Sequence, residues 1–320
     1  PGTGIGLATV HRIVTRHGWR GLQARVSRQQ SITSGAFGNT TASFTGGFGG
    51  EGPQAGEVLV NLEWYRREGL MWNEVLGYVS PLARAASPGF GTPSSYSWPG
   101  NVIGGGPVPG CASQMLIGGL CRYNRYERFE VVPAAERANL LVTARQPLAD
   151  GRRMFGEVLM ADTSTSYRSP LQPYGRALGS VTWGNPLTNA SQTFWYRGLP
   201  VGHPLNPTGR DDAEFRYRFV DAPNDSRAHT QQYRGLIGLA GPWRQYEWEA
   251  ALGVAGGHTR FDQRGWFSAG GFRAVIGNDD PSQTDPLFFN RAYRIGQVNS
   301  PEVIDRLFPV YGYRGRVTLG

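Results

Sequence analysis

Cys111 and Cys121 are the only two cysteines in the 320-residue chain, and nine residues separate them within a Gly/Pro-rich stretch, Gly104 to Cys121. No second cysteine pair and no neighbouring histidine completes a zinc site, so the spacing predicts a short loop closed by a disulfide, and with it an oxidising compartment. The alternative is a pair of unbridged thiols in a cytosolic loop. His11, His17, His203, His229 and His258 are dispersed without metal-ligand spacing and read as surface or loop residues. Asp211-Asp212 and Asp279-Asp280 stand in Gly/Pro-flanked loops, where adjacent carboxylates and loop carbonyls could hold calcium; solvated turns are the favoured reading. No pairing of nucleophile and base is legible. The expectation is therefore a protein that is not an enzyme, with no catalytic residue, no metal and no cofactor.

The elements that carry these residues are strands. Gly 46 and Pro 22, with 39% hydrophobic and 12% aromatic residues, argue against coiled coils, helical bundles and acidic disordered tails. Val58, Val60, Leu62 and Trp64 fall on one face of a strand and Leu59, Asn61, Glu63 and Tyr65 on the other, and the strand Thr41 to Phe48 precedes it through the Gly49 to Gly56 turn. Ala138, Leu140, Val142 and Ala144 repeat the pattern, and Met154, Gly156, Val158 and Met160 resume it after Asp150-Gly151, a strong hairpin signal. A third pair runs from Thr230 to the Gly241-Pro242 turn and back through Tyr246, Trp248, Ala250, Leu252 and Val254, and a last candidate strand spans Gly312 to Gly320. No apolar run approaches the roughly 20 residues of a membrane helix.

The connections within these pairs are short, about eight, five and three residues, whereas those between pairs are long, roughly 67–135, 166–229 and 257–311. Structureless loops of that length are uncommon in compact soluble domains. Short turns at one end and long loops at the other, joined by strands of about ten residues, describe an antiparallel transmembrane β-barrel. Tyr96, Trp98, Tyr174, Trp183, Phe194, Trp195 and Tyr196 in the loops are candidates for stacking on a ligand or for packing within the loops. The net charge of +8 comes from arginine without any lysine, scattered along the chain, so nucleic acid is not an expected partner.

From Cys121 to Tyr167 the sequence resembles part of a TonB-dependent outer-membrane receptor: a cysteine-bearing loop, Val132-Pro133-Ala134-Ala135-Glu136-Arg137, a strand, the turn Leu148-Ala149-Asp150-Gly151, and a strand with Phe155-Gly156-Glu157. Leu199-Pro200-Val201-Gly202-His203-Pro204-Leu205-Asn206-Pro207-Thr208-Gly209 resembles an outer-loop N-P-x-N-P-x-G pattern of that family, departing from it at His203. The likeness covers roughly residues 35–320. It implies an all-β fold: an incomplete antiparallel barrel of about seven strands, with long outer loops and short periplasmic turns, in the outer membrane of a Gram-negative bacterium. It also implies capture of a siderophore, carbohydrate or similar small molecule at the outer loops, with outer-membrane lipid and, through a plug region not visible here, the TonB complex as partners. Receptors of this class close with about 22 strands, so the chain is expected to be a fragment.

Residues 1–34 read differently. Gly2-Thr3-Gly4-Ile5-Gly6 with the following Val10, Ile13 and Val14 resembles the glycine box and helix of a sensor histidine kinase ATP-binding domain, where Gly2, Gly4 and Gly6 would form a phosphate loop at a helix N-terminus. The magnesium-holding and adenine-reading parts of such a site have no counterpart, so this segment, a short N-terminal helix, is expected to be a remnant without nucleotide binding. An ATP-binding kinase remnant is the alternative reading of the chain.

Overall fold

The computed structural model describes residues 19–31, 37–75, 93–125, 128–184 and 188–320. The chain is all-β, built on one eight-stranded antiparallel sheet in which strand order is chain order: β1 (Gly21–Gln30), β2 (Gly38–Gly49), β3 (Glu57–Arg67), β4 (Ala134–Pro147), β5 (Arg153–Arg168), β6 (Asp225–Trp243), β7 (Tyr246–Gln263) and β8 (Tyr311–Leu319). Eight strands replace the seven expected because Gly21–Gln30 also joins the sheet, pairing with β2, although it falls within the segment set apart as residues 1–34. The expected N-terminal helix and the glycines Gly2, Gly4 and Gly6 lie outside the described residues. β1 and β8 are the two edges of the sheet, and no ladder joins them among the described residues.

Turn chemistry fixes the hairpins. At β4–β5, Gly151 adopts φ +79°, its N–H donates to Leu148 O at 3.2 Å, and Asp150 Oδ1 accepts from Arg152 N at 3.2 Å. The β6–β7 turn differs from expectation. Gly241-Pro242 lies inside β6, and the chain reverses at Arg244-Gln245, with Arg244 at φ +59°. Pro242 is tolerated there because the ladder to β5 stops at Ala240, so its missing N–H faces an edge position.

The strands also outrun the ten residues expected: β5 has 16, β6 has 19 and β7 has 18. The added length is polar on both faces, as in Asp162-Thr163-Ser164-Thr165-Ser166, where hydropathy carries no period.

Register puts the apolar residues of successive strands in rows. Leu62, Leu140, Met160 and Tyr233 are direct cross-strand partners, as are Val60, Val142 and Val158. Among the described residues no layer covers this face: Leu252 is 80% exposed and Ile237 58%. β8 is the exception, turning Tyr313, Val317 and Leu319 to the opposite face, where they oppose Phe261, Gly257 and Ala255.

The largest buried cluster lies in the long connections, which fold together at one end of the sheet into a cap. Phe215–Arg218 is a strand whose Phe215 and Tyr217, with Phe219 beyond it, are fully buried; it pairs with Asn101–Val102 and Pro173–Tyr174. Two short helices close the cluster: α1 (Ala269–Val275), capped by Ser268 Oγ accepting from Gly271 N at 2.8 Å, and α2 (Pro301–Leu307), capped by Ser300. Asn224 ties the bases of two connections by donating to Ser169 O at 2.9 Å and Arg128 O at 3.0 Å.

Candidate functional site

Three surfaces can do chemistry: the two faces of the sheet and the cap. The apolar face is bounded by aromatics at both ends. Trp243 and Tyr246, 62% and 60% exposed, lie at the short-turn end with Phe48, while Trp64 and Tyr233 stand toward the cap. Around the cap-ward pair an open hollow of about 750 Å³ is lined by Phe44, Leu62, Trp64, Leu140, Met160 and Tyr233, with Asp162 and Gln231 at its polar side. Tyr233 lies across Gly256, where a Cβ would come 2.5 Å from its hydroxyl.

The opposite face is polar and internally bonded. Asn61 Nδ2 donates to Thr45 Oγ1 at 2.8 Å with both side chains buried, Arg234 pairs with Glu157 at 3.6 Å, and the Arg137 guanidinium lies 5.6 Å from the Tyr65 ring centre. Phe155 occupies the space above Gly238 on this face.

In the cap, Tyr174 is the hub. Its ring contacts Phe289, Phe272 and Tyr196 at 4.9, 5.4 and 5.4 Å between centres, and its hydroxyl donates to Arg197 O at 3.1 Å. Burial drives the Tyr174 phenol far above its ordinary value, so it stays protonated. A second polar chain runs Tyr217 to Tyr293 to Asp221, with Asn299 Nδ2 donating to the same carboxylate at 3.0 Å. Burial raises the Asp221 pKa above the usual carboxylate value.

Several expected site residues have structural employment. Cys111 and Cys121 are joined by a disulfide with Cα atoms 5.9 Å apart. Asn101 braces it: Cys121 N donates to Asn101 Oδ1 at 2.7 Å, and Asn101 Nδ2 donates to Cys121 O at 2.8 Å. The aspartate pairs close loops: Asp212 accepts from Gly198 N at 2.6 Å and pairs with Arg176, Asp211 accepts from Val201 N, Asp279 is held by Arg273, and Asp280 accepts from Ser282 and Gln283. Among the described residues no three His, Cys, Asp or Glu side chains gather as a metal site. His229 bonds Asp162 at 2.9 Å on the sheet, while His203 is buried with its Nδ1 accepting from Leu205 N at 3.1 Å. His11 and His17 lie outside the described residues.

The segment from Leu199 to Ala213 closes on itself through two backbone bonds of 2.9 Å between those residues. Buried Asn206 organises it, donating to Leu199, Pro200 and Arg210 carbonyls and accepting from Thr208. The Asn-Pro-Thr-Gly signature therefore encodes a loop brace.

The loop aromatics divide in two. Tyr174 and Phe194 are buried, and Trp98 and Tyr196 pack against that core. Trp183 and Trp195 remain exposed on the hairpin Ser180–Gly184/Ser191–Trp195, but its register sets them on opposite faces, so they make two separate contacts rather than one platform. The sequence reading missed Phe215, Tyr217 and Phe219, whose period of two lay within a stretch read as loop.

No family model, no curated protein and no solved structure matches the chain.

Proposed function

We propose that this chain forms part of an outer-membrane β-barrel receptor of the TonB-dependent class, which captures a small molecule at its cap for energised uptake. The single observation that carries this reading is the sheet: an antiparallel meander in chain order, apolar and uncovered on one face, polar on the other, with its long connections gathered at one end. The dimensions agree. Trp243 lies ten residue steps along the strand from Tyr233; at about 3.4 Å per step and a tilt near 45° they rise roughly 25 Å, the height of a barrel's apolar band between its aromatic girdles.

In this reading the apolar face meets outer-membrane lipid, the short turns face the periplasm, and the cap faces outside. Exposed Trp183 and Trp195 supply ligand contacts, and the polar face lines the lumen. An open edge in lipid leaves unpaired backbone groups that cost several kcal/mol each, so further strands must pair with β1 and β8. The TonB complex engages a plug region beyond these residues, and the protein performs no chemistry on its ligand and needs no cofactor.

Single cysteines placed from 244 to 254 and labelled from the lipid phase test the proposal. Labelling at 246, 248, 250, 252 and 254 with protection between them is expected. Uniform labelling, or a monomer that folds cooperatively in water without detergent, would exclude it.

A further inference from the structure

We propose that the outward face of the sheet, just below the cap, binds anionic lipid head groups along a cross-strand row of arginines; this rests on the membrane reading above. Register assembles the row. Arg28 opposes Thr40, which opposes Arg66; Glu136, Ser164, His229, Arg260 and Arg314 continue the line to the far edge. Directly opposed residues share a face, and this is the face of Leu62, Leu140 and Met160. Arg316, opposite His258, stands one row nearer the apolar band.

Of the acids along this rim, one is ion-paired and two accept from neighbouring side chains. Glu136 accepts from Trp64 Nε1 at 2.9 Å, Asp162 accepts from Gln231 at 2.8 Å and bonds His229, and Asp262 takes Arg260. Arg28, Arg66, Arg314 and Arg316 are exposed and form no ion pair with any described residue. Four guanidinium groups outside any ion pair therefore border the exposed apolar band, and the five arginines Arg28, Arg66, Arg260, Arg314 and Arg316 outnumber the three carboxylates Glu136, Asp162 and Asp262 among them.

That adjacency selects the occupant. A lipid supplies acyl chain to the band and phosphate to the row at once, whereas a nucleic acid or an acidic peptide would leave the apolar rows beside it wet. Arginine stems lie along apolar surface while their heads reach the interface, and the planar fork matches phosphate oxygens in pairs. The row also lies beyond Trp64 and Tyr233, at head-group depth.

The test compares spin-labelled phosphatidylglycerol with spin-labelled phosphatidylcholine at the surface of the protein reconstituted in phosphatidylcholine bilayers. Each arginine near a charged membrane surface contributes enough for about a fivefold preference. The protein should enrich phosphatidylglycerol by about fivefold or more, and the quadruple variant Arg28→Gln, Arg66→Gln, Arg314→Gln, Arg316→Gln should approach equal association, as should the unmodified protein in about 1 M salt. Incorporation without enrichment, or enrichment that survives the quadruple variant, overturns this inference and leaves the receptor reading standing. Failure to incorporate into either bilayer when the chain is carried with the strands that pair its two edges overturns both.

Discussion

Tyr293 donates its hydroxyl hydrogen to Asp221 Oδ1 at 3.0 Å while accepting from the Tyr217 hydroxyl at 2.9 Å, so one buried phenol links strand Phe215–Arg218 to the segment leading into α2. Removing it strands both neighbours. Tyr293→Phe leaves the Tyr217 hydroxyl without its acceptor and the Asp221 carboxylate without one donor, at a cost of about 1 to 3 kcal/mol. Tryptophan-monitored guanidinium unfolding should show that loss, with the sheet's far-UV signal retained in the folded baseline.

The same cluster sets a pH dependence. Burial raises both the Asp221 and the Tyr293 pKa, so the folded state holds these protons more tightly than the unfolded chain does. The stabilisation is complete below the unfolded values and is lost as pH rises through the folded ones. The unfolded tyrosine value is 10.0, so cap stability should fall as pH climbs beyond it, and Tyr293→Phe should flatten that alkaline slope. An unchanged slope in the variant would assign the effect to other groups.

Asn101 and the Cys111–Cys121 bridge form a second module at the edge of the cap. Closing a loop this short contributes at most about 3 kcal/mol through lost unfolded-state entropy. Denaturing thiol titration should find no free thiol. Replacing both cysteines by serine should lower the cap's unfolding midpoint, and Asn101→Ala should lower it even with the bridge intact, because two buried backbone groups of Cys121 lose their partners.

Gly238 has a steric role. A Cβ there would lie 2.3 Å from the Phe155 ring and 2.7 Å from the Ala250 carbonyl. Gly238→Ala should destabilise the sheet by about 1 to 3 kcal/mol. Phe155→Leu in the same chain should recover only part of the loss, since the backbone clash remains. Full recovery would place the whole effect on the ring.

The sheet was legible from Thr41 through the last strand at Gly312 to Gly320 because its two faces differ in polarity and Asp150-Gly151 marks a turn with its own conformational demand. β1 was not, since Gln23, Arg25, Ser27 and Gln29 alternate with only Leu22, Ala24 and Val26, too weak a contrast to outweigh the glycine pattern before it. Gly241-Pro242 misled because both residues usually break strands, and only the shorter reach of β5 makes that position permissive. The cap was invisible for another reason. Its core is assembled from aromatics far apart in sequence, such as Tyr174, Phe215, Phe272 and Phe289, and no local period announces a cluster built by loops. The arginine row likewise exists only after register is known, since its members are dozens of residues apart.

Leu252 provides the sharpest test of which face meets lipid. It opposes Ile237 in the ladder, projects from the middle of the apolar band, and is 80% exposed. Its neighbour Ala251 points to the polar face. In a bilayer, Leu252→Arg places a charge near the midplane and should cost about 2 to 4 kcal/mol, whereas Ala251→Arg enters a polar lumen and should cost far less. If the apolar face were instead an uncovered surface in water, Leu252→Arg would be neutral or would improve solubility. Paired unfolding measurements of the two variants in bilayers therefore separate the readings: a large, face-specific loss at 252 supports the lipid assignment, and equal effects at 251 and 252 refute it.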